Sequence, residues 1–325
     1  MSAPPASPRS APILVTGGAG FIGSHLVERL LKDGETVVVI DDFSTGSPDN
    51  LSAVKSNPRL RIFPSRICDC AELPDLVAAA GFVFHLAATV GVDLVVKSAL
   101  HVLEASFNET QILLRAAAQN ATPLLLTSTS EVYGKSLKPE FSEEDDRLIG
   151  PPGQSRWSYA CSKLTDEFLA LAYARERNLP VTIARLFNTV GPRQTGQHGM
   201  VLPRFIAAAK SGDPLRVFGD GAQSRCFGFV DDVVEALVRL RQCAPARGEI
   251  FNIGGTEEVS IQELAQLVVA TLGSKSRIEK IPYDQAYAPG FDDMRRRKPR
   301  VEKLERFVHF KPQTALREII RRTAK

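Results

Sequence analysis

The sequence predicts an α/β protein: a doubly wound parallel sheet flanked by helices, joined to a smaller C-terminal α/β substrate-binding domain. Three observations predict it. Short, almost wholly apolar runs recur along the first half of the chain, amphipathic segments separate them, and a glycine-rich turn joins the first run to the first helix. Runs this apolar suit strands covered on both faces, as in a parallel sheet. At 325 residues the chain is long enough for one large domain or two closely packed ones.

The elements follow in order. Residues 1–11, rich in Pro and Ser and lacking an apolar run, read as a disordered lead-in rather than a secretory signal. The apolar runs at 13–16 (ILVT), 36–40 (TVVVI), 82–85 (FVFH), 123–128 (PLLLTS) and 180–185 (PVTIAR) are the expected strands. Amphipathic segments near 22–33, 99–119 and 159–178 are the expected helices between them. Beyond about residue 188 the alternation loosens and Pro, Gly and Arg become frequent, as in FGDGAQSR and AYAPGFDDMRRRKPR. That change divides the chain into a first domain over 12–188, to which 226–253 returns, and a second built from 189–225 and 254–325.

Composition narrows the partners. Lys and Arg number 40 against 37 Asp and Glu, a net charge of +3, too small to make nucleic acid or an anionic membrane the expected partner. No stretch of about 18 apolar residues occurs, so a soluble protein without a membrane partner is expected. The five cysteines (Cys68, Cys70, Cys161, Cys226, Cys243) contain no C-x-x-C, and the five histidines show no ligand spacing with them or with acids. The expectation is a reducing, cytoplasmic setting and no metal.

The segment ILVTGGAGFIGSHL places Gly17, Gly20 and Gly23 between a strand and a helix. Glycine allows the tight turn, lets the backbone approach a pyrophosphate and permits close helix packing, while the helix N-terminus offers N–H donors. Phe21 and Ile22, which open that helix, belong to the same contact. Asp41 ends the second strand, where a carboxylate accepts both ribose hydroxyls of NAD and repels the 2′-phosphate of NADP. NAD is therefore the expected cofactor.

Tyr159 and Lys163 stand at i and i+4 of an expected helix and share a face. A cation beside a phenol favours phenolate and makes tyrosine a usable base near neutrality. TSTSEVYG (127–134) follows an apolar strand, so Thr129, Ser130 and Glu131 emerge at the carboxyl end of the sheet, where ligands bind.

GGAGFIGSH, Asp41, HLAA (85–88), TSTSEVYG, Y-x-x-x-K at 159–163 and RLFNTVGPR (185–193) together resemble an extended short-chain dehydrogenase/reductase of the nucleotide-sugar epimerase, dehydratase and decarboxylase group. The likeness runs from residue 12 to the end. It implies a UDP-sugar substrate, with Tyr159 removing the 4-OH proton, Lys163 lowering the phenol pKa and holding the nicotinamide ribose, and Thr129 aiding proton transfer. It also implies Asp69 near adenine, Leu86 and Ala88 along the cofactor, Asn188 and Arg225 at the diphosphate with Arg297, and Phe218 beside the base. Relatives pair through two helices, which implies a homodimer through the 99–119 and 159–178 segments.

The reaction that follows C4 oxidation is read from the neighbours of Thr129. Glucose 4,6-dehydratases use an Asp-Glu pair where this chain has Ser130-Glu131, which removes their acid. Thr129-Ser130-Glu131, RWSY (156–159) and RRRKP resemble UDP-glucuronate decarboxylases, in which loss of CO2 from a β-keto acid leaves an enolate that Thr129 and Tyr159 stabilise. Arg297 would position the carboxylate or deliver a proton, and the product is UDP-xylose or a UDP-4-keto-pentose. The TVGVDLVV loop (89–96), with Val95 where decarboxylases usually carry an aromatic, is closer to UDP-hexose or UDP-hexuronate 4-epimerases, which stay as the alternative. A non-catalytic dinucleotide-binding sensor is the reading from another class. Ser106 stands where relatives usually carry Asn, and Glu109 where they carry Gly, so a contact near the cofactor is expected to be rewired.

Overall fold

The computed structural model describes residues 11–88, 98–196, 200–282 and 294–325. The lead-in up to residue 10, the TVGVDLVV loop with Val95, and most of AYAPGFDDM lie outside the described residues. In chain order the first half runs β1 (Ile13–Thr16), α1 (Phe21–Lys32), β2 (Val37–Ile40), β3 (Leu60–Phe63), α2 (Leu73–Ala79), β4 (Phe82–His85), α3 (Ala99–Asn120), β5 (Leu124–Thr129), α4 (Arg156–Arg177) and β6 (Val181–Leu186). The second half runs β7 (Thr189–Val190), α5 (Val201–Ser211), β8 (Leu215–Phe218), β9 (Ser224–Cys226), β10 (Gly228–Phe229), α6 (Val230–Gln242), β11 (Ile250–Ile253), β12 (Glu258–Ser260), α7 (Ile261–Leu272), β13 (Ile278–Ile281), α8 (Glu302–Val308) and α9 (Leu316–Thr323).

The central sheet has seven strands in the order β3-β2-β1-β4-β5-β6-β11, every neighbouring pair parallel. This is the expected doubly wound Rossmann arrangement. The strand order reverses between β1 and β4, which opens a crevice at the carboxyl ends of both. Two sheet members were not among the expected strands. β3 (LRIF) is an edge strand with Arg61 and Ile62 exposed, so its sequence lacks the apolar run that marks its neighbours. β11 (IFNI) lies far along the chain and pairs with β6.

Alternation along the strands sends side chains into two layers. Ile13, Val15, Val37, Val39, Phe84 and Leu125 pack with Leu26 and Leu30 of α1 and with Val233 and Leu237 of α6. Leu14, Val38, Ile40, Val83, Leu124 and Leu126 pack on the other face with Val77, Leu113, Ala117 and Ala170. Each fully buried aliphatic side chain of this kind contributes roughly 1.5–3 kcal/mol. The continuous apolar runs of the sequence are what such a sheet requires.

Beyond β6 the chain builds small sheets above the crevice: β7 with β10, β8 with β13, and β9 with β12. α7 begins with a capping box in which Ser260 and Glu263 satisfy each other's backbone N–H groups. That fixed start holds β12, and through it Arg225 of β9, at the rim.

Candidate active site

One cavity of about 950 Å³ runs along the carboxyl ends of the central strands, from the glycine turn to β8 and β9. At its floor, Gly17 has φ +70°, and a Cβ there would come within 2.6 Å of the Ala87 backbone nitrogen. A side chain at Gly23 would overlap the Gly17 carbonyl. At Gly20 an added Cβ meets only that carbonyl, at 3.2 Å. α1 starts at Gly20 with no side-chain cap and no acidic residue in its first turn, so its free N–H groups and positive dipole end are left for an anion.

Asp41 is buried beside this turn. It accepts the Ala19 N–H at 2.8 Å through Oδ2 and the Phe43 N–H at 2.8 Å through Oδ1. Burial pushes its carboxyl above the ordinary value, against the pull of those N–H groups. A carboxylate has lone pairs beyond these two bonds, and Asp41 lines the cavity. An uncapped helix start, a turn without side chains and an acid at the end of β2 fit a dinucleotide whose pyrophosphate meets α1 and whose ribose meets Asp41.

Phe21, Ile22, Leu86 and Ala88 also line the cavity. Asp69 does not: the short turn Ile67–Asp69 buries Ile67 and leaves Asp69 exposed, and the wall is formed instead by Ser65, Arg66 and Ile67. Glu109, from α3, closes this end and pairs with Arg66 Nε at 3.3 Å. Its carboxyl is raised, first by burial.

The catalytic candidates meet in the middle of the cavity. Thr129, the last residue of β5, accepts the Glu131 N–H at 3.2 Å and so caps the turn Ser130–Tyr133. Ser130 is buried and its Oγ has no partner. Arg297 donates from Nη2 to Glu131 Oε1 at 3.0 Å, bringing together two residues far apart in sequence. Tyr159 and Lys163 lie one turn apart on α4, and both line the cavity.

The Tyr159 phenol lies above its ordinary value. The phenol is pushed up, first by burial, then by Glu131 and Asp166; Arg297 is the cation that opposes them. The Lys163 ammonium is engaged within α4. It donates to Asp166 Oδ2 at 3.0 Å, one turn further along α4, and both side chains are buried.

Beneath these groups, Glu167 takes the guanidinium of Arg185 with Nε at 2.9 Å and Nη2 at 2.7 Å, and the Ser128 hydroxyl at 2.6 Å. Arg185 also donates to the Tyr133 hydroxyl at 3.0 Å, and Tyr133 donates to Asn252 at 2.6 Å. The network joins α4, β5, β6 and β11 directly under Thr129. His85 lies between the Thr16 and Thr110 hydroxyls, at 2.7 and 3.2 Å, and burial with the nearby Lys163 charge lowers its pKa to about 3.

At the far end stand Asn188, Phe218 and Arg225. Asn188 takes a left-handed φ of 27° and donates to the Cys226 carbonyl at 2.9 Å. Arg193, held against α1 by Ser24 and Glu28, and Arg204 and Arg216 near Phe218 also line the cavity and were not among the expected residues. Arg204 lies 4.7 Å from the Phe218 ring centroid. Their signal was present: Arg204 interrupts the apolar segment VLPRFI, and Arg216 faces out of β8 between buried Leu215 and Val217.

Residues 13–254 match the NAD dependent epimerase/dehydratase family. The chain is 43% identical to UDP-N-acetyl-alpha-D-glucosaminuronate decarboxylase of Bacillus cytotoxicus, over 95% of each chain. It is 36% identical to UDP-glucuronic acid decarboxylase 2 of Arabidopsis thaliana, over 94% of this chain and 66% of that longer one. Among solved structures it resembles UDP-glucuronic acid 4-epimerase from Bacillus cereus in complex with UDP-glucuronic acid and NAD, with TM-score 0.87, 29% identity, and 96% and 98% of the two chains covered. With the glycine turn, Asp41 and the Tyr159–Lys163 pair in one crevice, the chain belongs to the NAD dependent epimerase/dehydratase family, and NAD is its cofactor.

Proposed function

We propose that this protein decarboxylates a UDP-uronate, UDP-glucuronate in the first instance, through a 4-keto intermediate, forming UDP-xylose or the UDP-4-keto-pentose. The observation that carries the reading is the 3.0 Å pair between Glu131 and Arg297 on the wall that also holds Thr129 and Tyr159. In this reading that guanidinium meets the sugar carboxylate, beside the point where the 4-hydroxyl meets its base. Both decarboxylase relatives support the same chemistry.

Bound NAD supplies the hydride acceptor for oxidation at C4 and the donor for the return step. Tyr159 takes the proton of the 4-hydroxyl, Thr129 hydrogen-bonds the same oxygen, and Lys163 holds charge beside them. The C6 carboxylate then belongs to a β-keto acid, held by Arg297. The C5–C6 bond breaks, CO2 leaves and its electron pair moves to the C4 oxygen as an enolate, stabilised by the Thr129 and Tyr159 hydroxyls. A proton is added at C5. Overall, a carboxylate and a proton become a C–H bond and CO2, with no net oxidation when C4 is rereduced.

Residues 12–188 with 226–253 form the NAD-binding part in this reading, and 189–225 with 254–325 hold the nucleotide sugar. Arg225, Asn188 and Phe218 meet the diphosphate and base. The functional form is a homodimer through α3 and α4, on which Leu100, Leu103, Phe107 and Phe168 are exposed. The five free thiols suit a cytoplasmic setting.

The test is incubation with NAD and, separately, UDP-glucuronate, its 2-acetamido counterpart UDP-N-acetylglucosaminuronate, UDP-glucose and UDP-galactose, with products identified by NMR. A pentose product with CO2 is expected from a uronate. UDP-galacturonate with its carboxylate retained would instead establish the 4-epimerase alternative, which the likeness to the Bacillus cereus enzyme favours. Bound NAD with no turnover of any sugar would point to the sensor. Tyr159→Phe should lower kcat by about a hundredfold or more. Glu131→Gln should harm decarboxylation more than epimerisation.

A further inference from the structure

Asp166 has no part in the chemistry described above. It is fully buried on α4, and its Oδ2 is shared by two donors: the Lys163 ammonium at 3.0 Å and the Ser106 hydroxyl of α3, also at 3.0 Å. Oδ1 has no hydrogen-bond partner. A buried carboxylate with an idle oxygen is costly, and a buried ammonium without a counter-charge is costlier, so the two hold each other in place. Ser106 fixes the carboxylate from the neighbouring helix and stops it from following the lysine. Ser106 is also the residue that departs from the Asn usual in relatives.

We propose that Asp166 is a positioning residue: paired with Ser106, it sets where the Lys163 charge stands between the Tyr159 phenol and the ribose of the dinucleotide. The inference rests on Tyr159 as the base. Among the described residues, the charged groups that act on this phenol are Glu131 from the turn after β5, Asp166 from its own helix and Arg297 from the C-terminal segment, and Lys163 lines the same cavity one turn further along α4. His85 of β4 faces Lys163 and stays neutral. Of the two carboxylates near the phenol, Asp166 is the one bonded to Lys163. Removing its charge takes a negative group away from Tyr159 and releases a positive one toward it. Both changes favour the phenolate.

The experiment compares Asp166→Asn and Ser106→Ala with the parent protein, using UDP-glucuronate and UDP-N-acetylglucosaminuronate for kcat against pH and NADH fluorescence for dinucleotide affinity. Asp166→Asn should move the acid limb of kcat down by about one pH unit. It should weaken NADH binding threefold or more, because Lys163 is no longer held for the ribose, and leave the KM for the sugar within twofold. Ser106→Ala removes no charge. It leaves Asp166 to grip Lys163 alone, so the limb should move to higher pH. An unmoved limb and unchanged NADH affinity in every variant that folds would overturn the proposal. If the parent turns over neither uronate, the functional reading fails by itself, and NADH affinity still decides the place of Lys163.

Discussion

His85 gives stability a pH dependence below neutrality. Its ring is buried between Thr16 and Thr110, and its pKa falls to about 3, against about 6.5 for an unrestrained histidine. Between those values the unfolded chain binds a proton that the folded chain refuses. Stability therefore declines as pH falls through this window, by about 2 kcal/mol at about pH 5 from this residue alone. His85→Gln retains groups that hydrogen-bond both threonines and does not titrate. Chemical denaturation near pH 7 and near pH 5 should show the parent losing about 2 kcal/mol more than the variant. Equal losses would mean that the imidazole is protonated in place. At this scale the sequence was legible where a residue's chemistry needs one location, as with Asp41 at the end of β2 or Thr129 at the end of β5. Asp166 was hidden because an acid three residues after a lysine is a common surface pattern, and only its packing against Ser106 makes it a buried counter-charge.

Elements place these residues, and the tie between α4 and the sheet is the Glu167–Arg185 pair. Both side chains are almost fully buried, with two short hydrogen bonds between them and a third from Ser128 to the same carboxylate. Glu167→Gln removes the negative partner and leaves the guanidinium buried without it, a change that costs about 3 kcal/mol or more in other buried pairs. Urea unfolding should show that loss. Because Ser128 precedes Thr129, residual activity should fall as well. A stability within about 0.5 kcal/mol of the parent would show that Tyr133 and the Glu143 carbonyl suffice for Arg185. Five strands of the central sheet were legible because both faces are covered and their runs are mostly β-branched and aliphatic. β3 escaped because it is an edge strand with two exposed positions, and β11 because it joins the sheet from far along the chain. Asp69 lies off the cavity wall for a local reason: whether a three-residue turn faces its first or its last residue inward is decided by packing, here that of Ile67.

For the whole molecule, the remaining question is what covers α3 and α4. The two helices lie side by side on one face of the sheet and pack closely against each other. Their outer side still carries Leu100 at 68% exposure and Phe168 at 64%, with Leu103 and Phe107 more than a third exposed. Leu100, Leu103 and Phe107 recur at helical spacing, so they form a stripe rather than scattered positions. Two such stripes related by a twofold axis would make a four-helix bundle, with each copy burying the apolar side chains of the other. Phe168→Glu combined with Leu103→Glu places a charge near the centre of that contact on both helices. Sedimentation should show a dimer for the parent and a monomer for the double variant. The cavity begins behind these helices, where α3 supplies Ala105 and Glu109 and α4 supplies Tyr159 and Lys163, so the monomer should also lose affinity for NAD. A parent protein that sediments as a monomer would overturn the dimer and leave the stripe to some other partner.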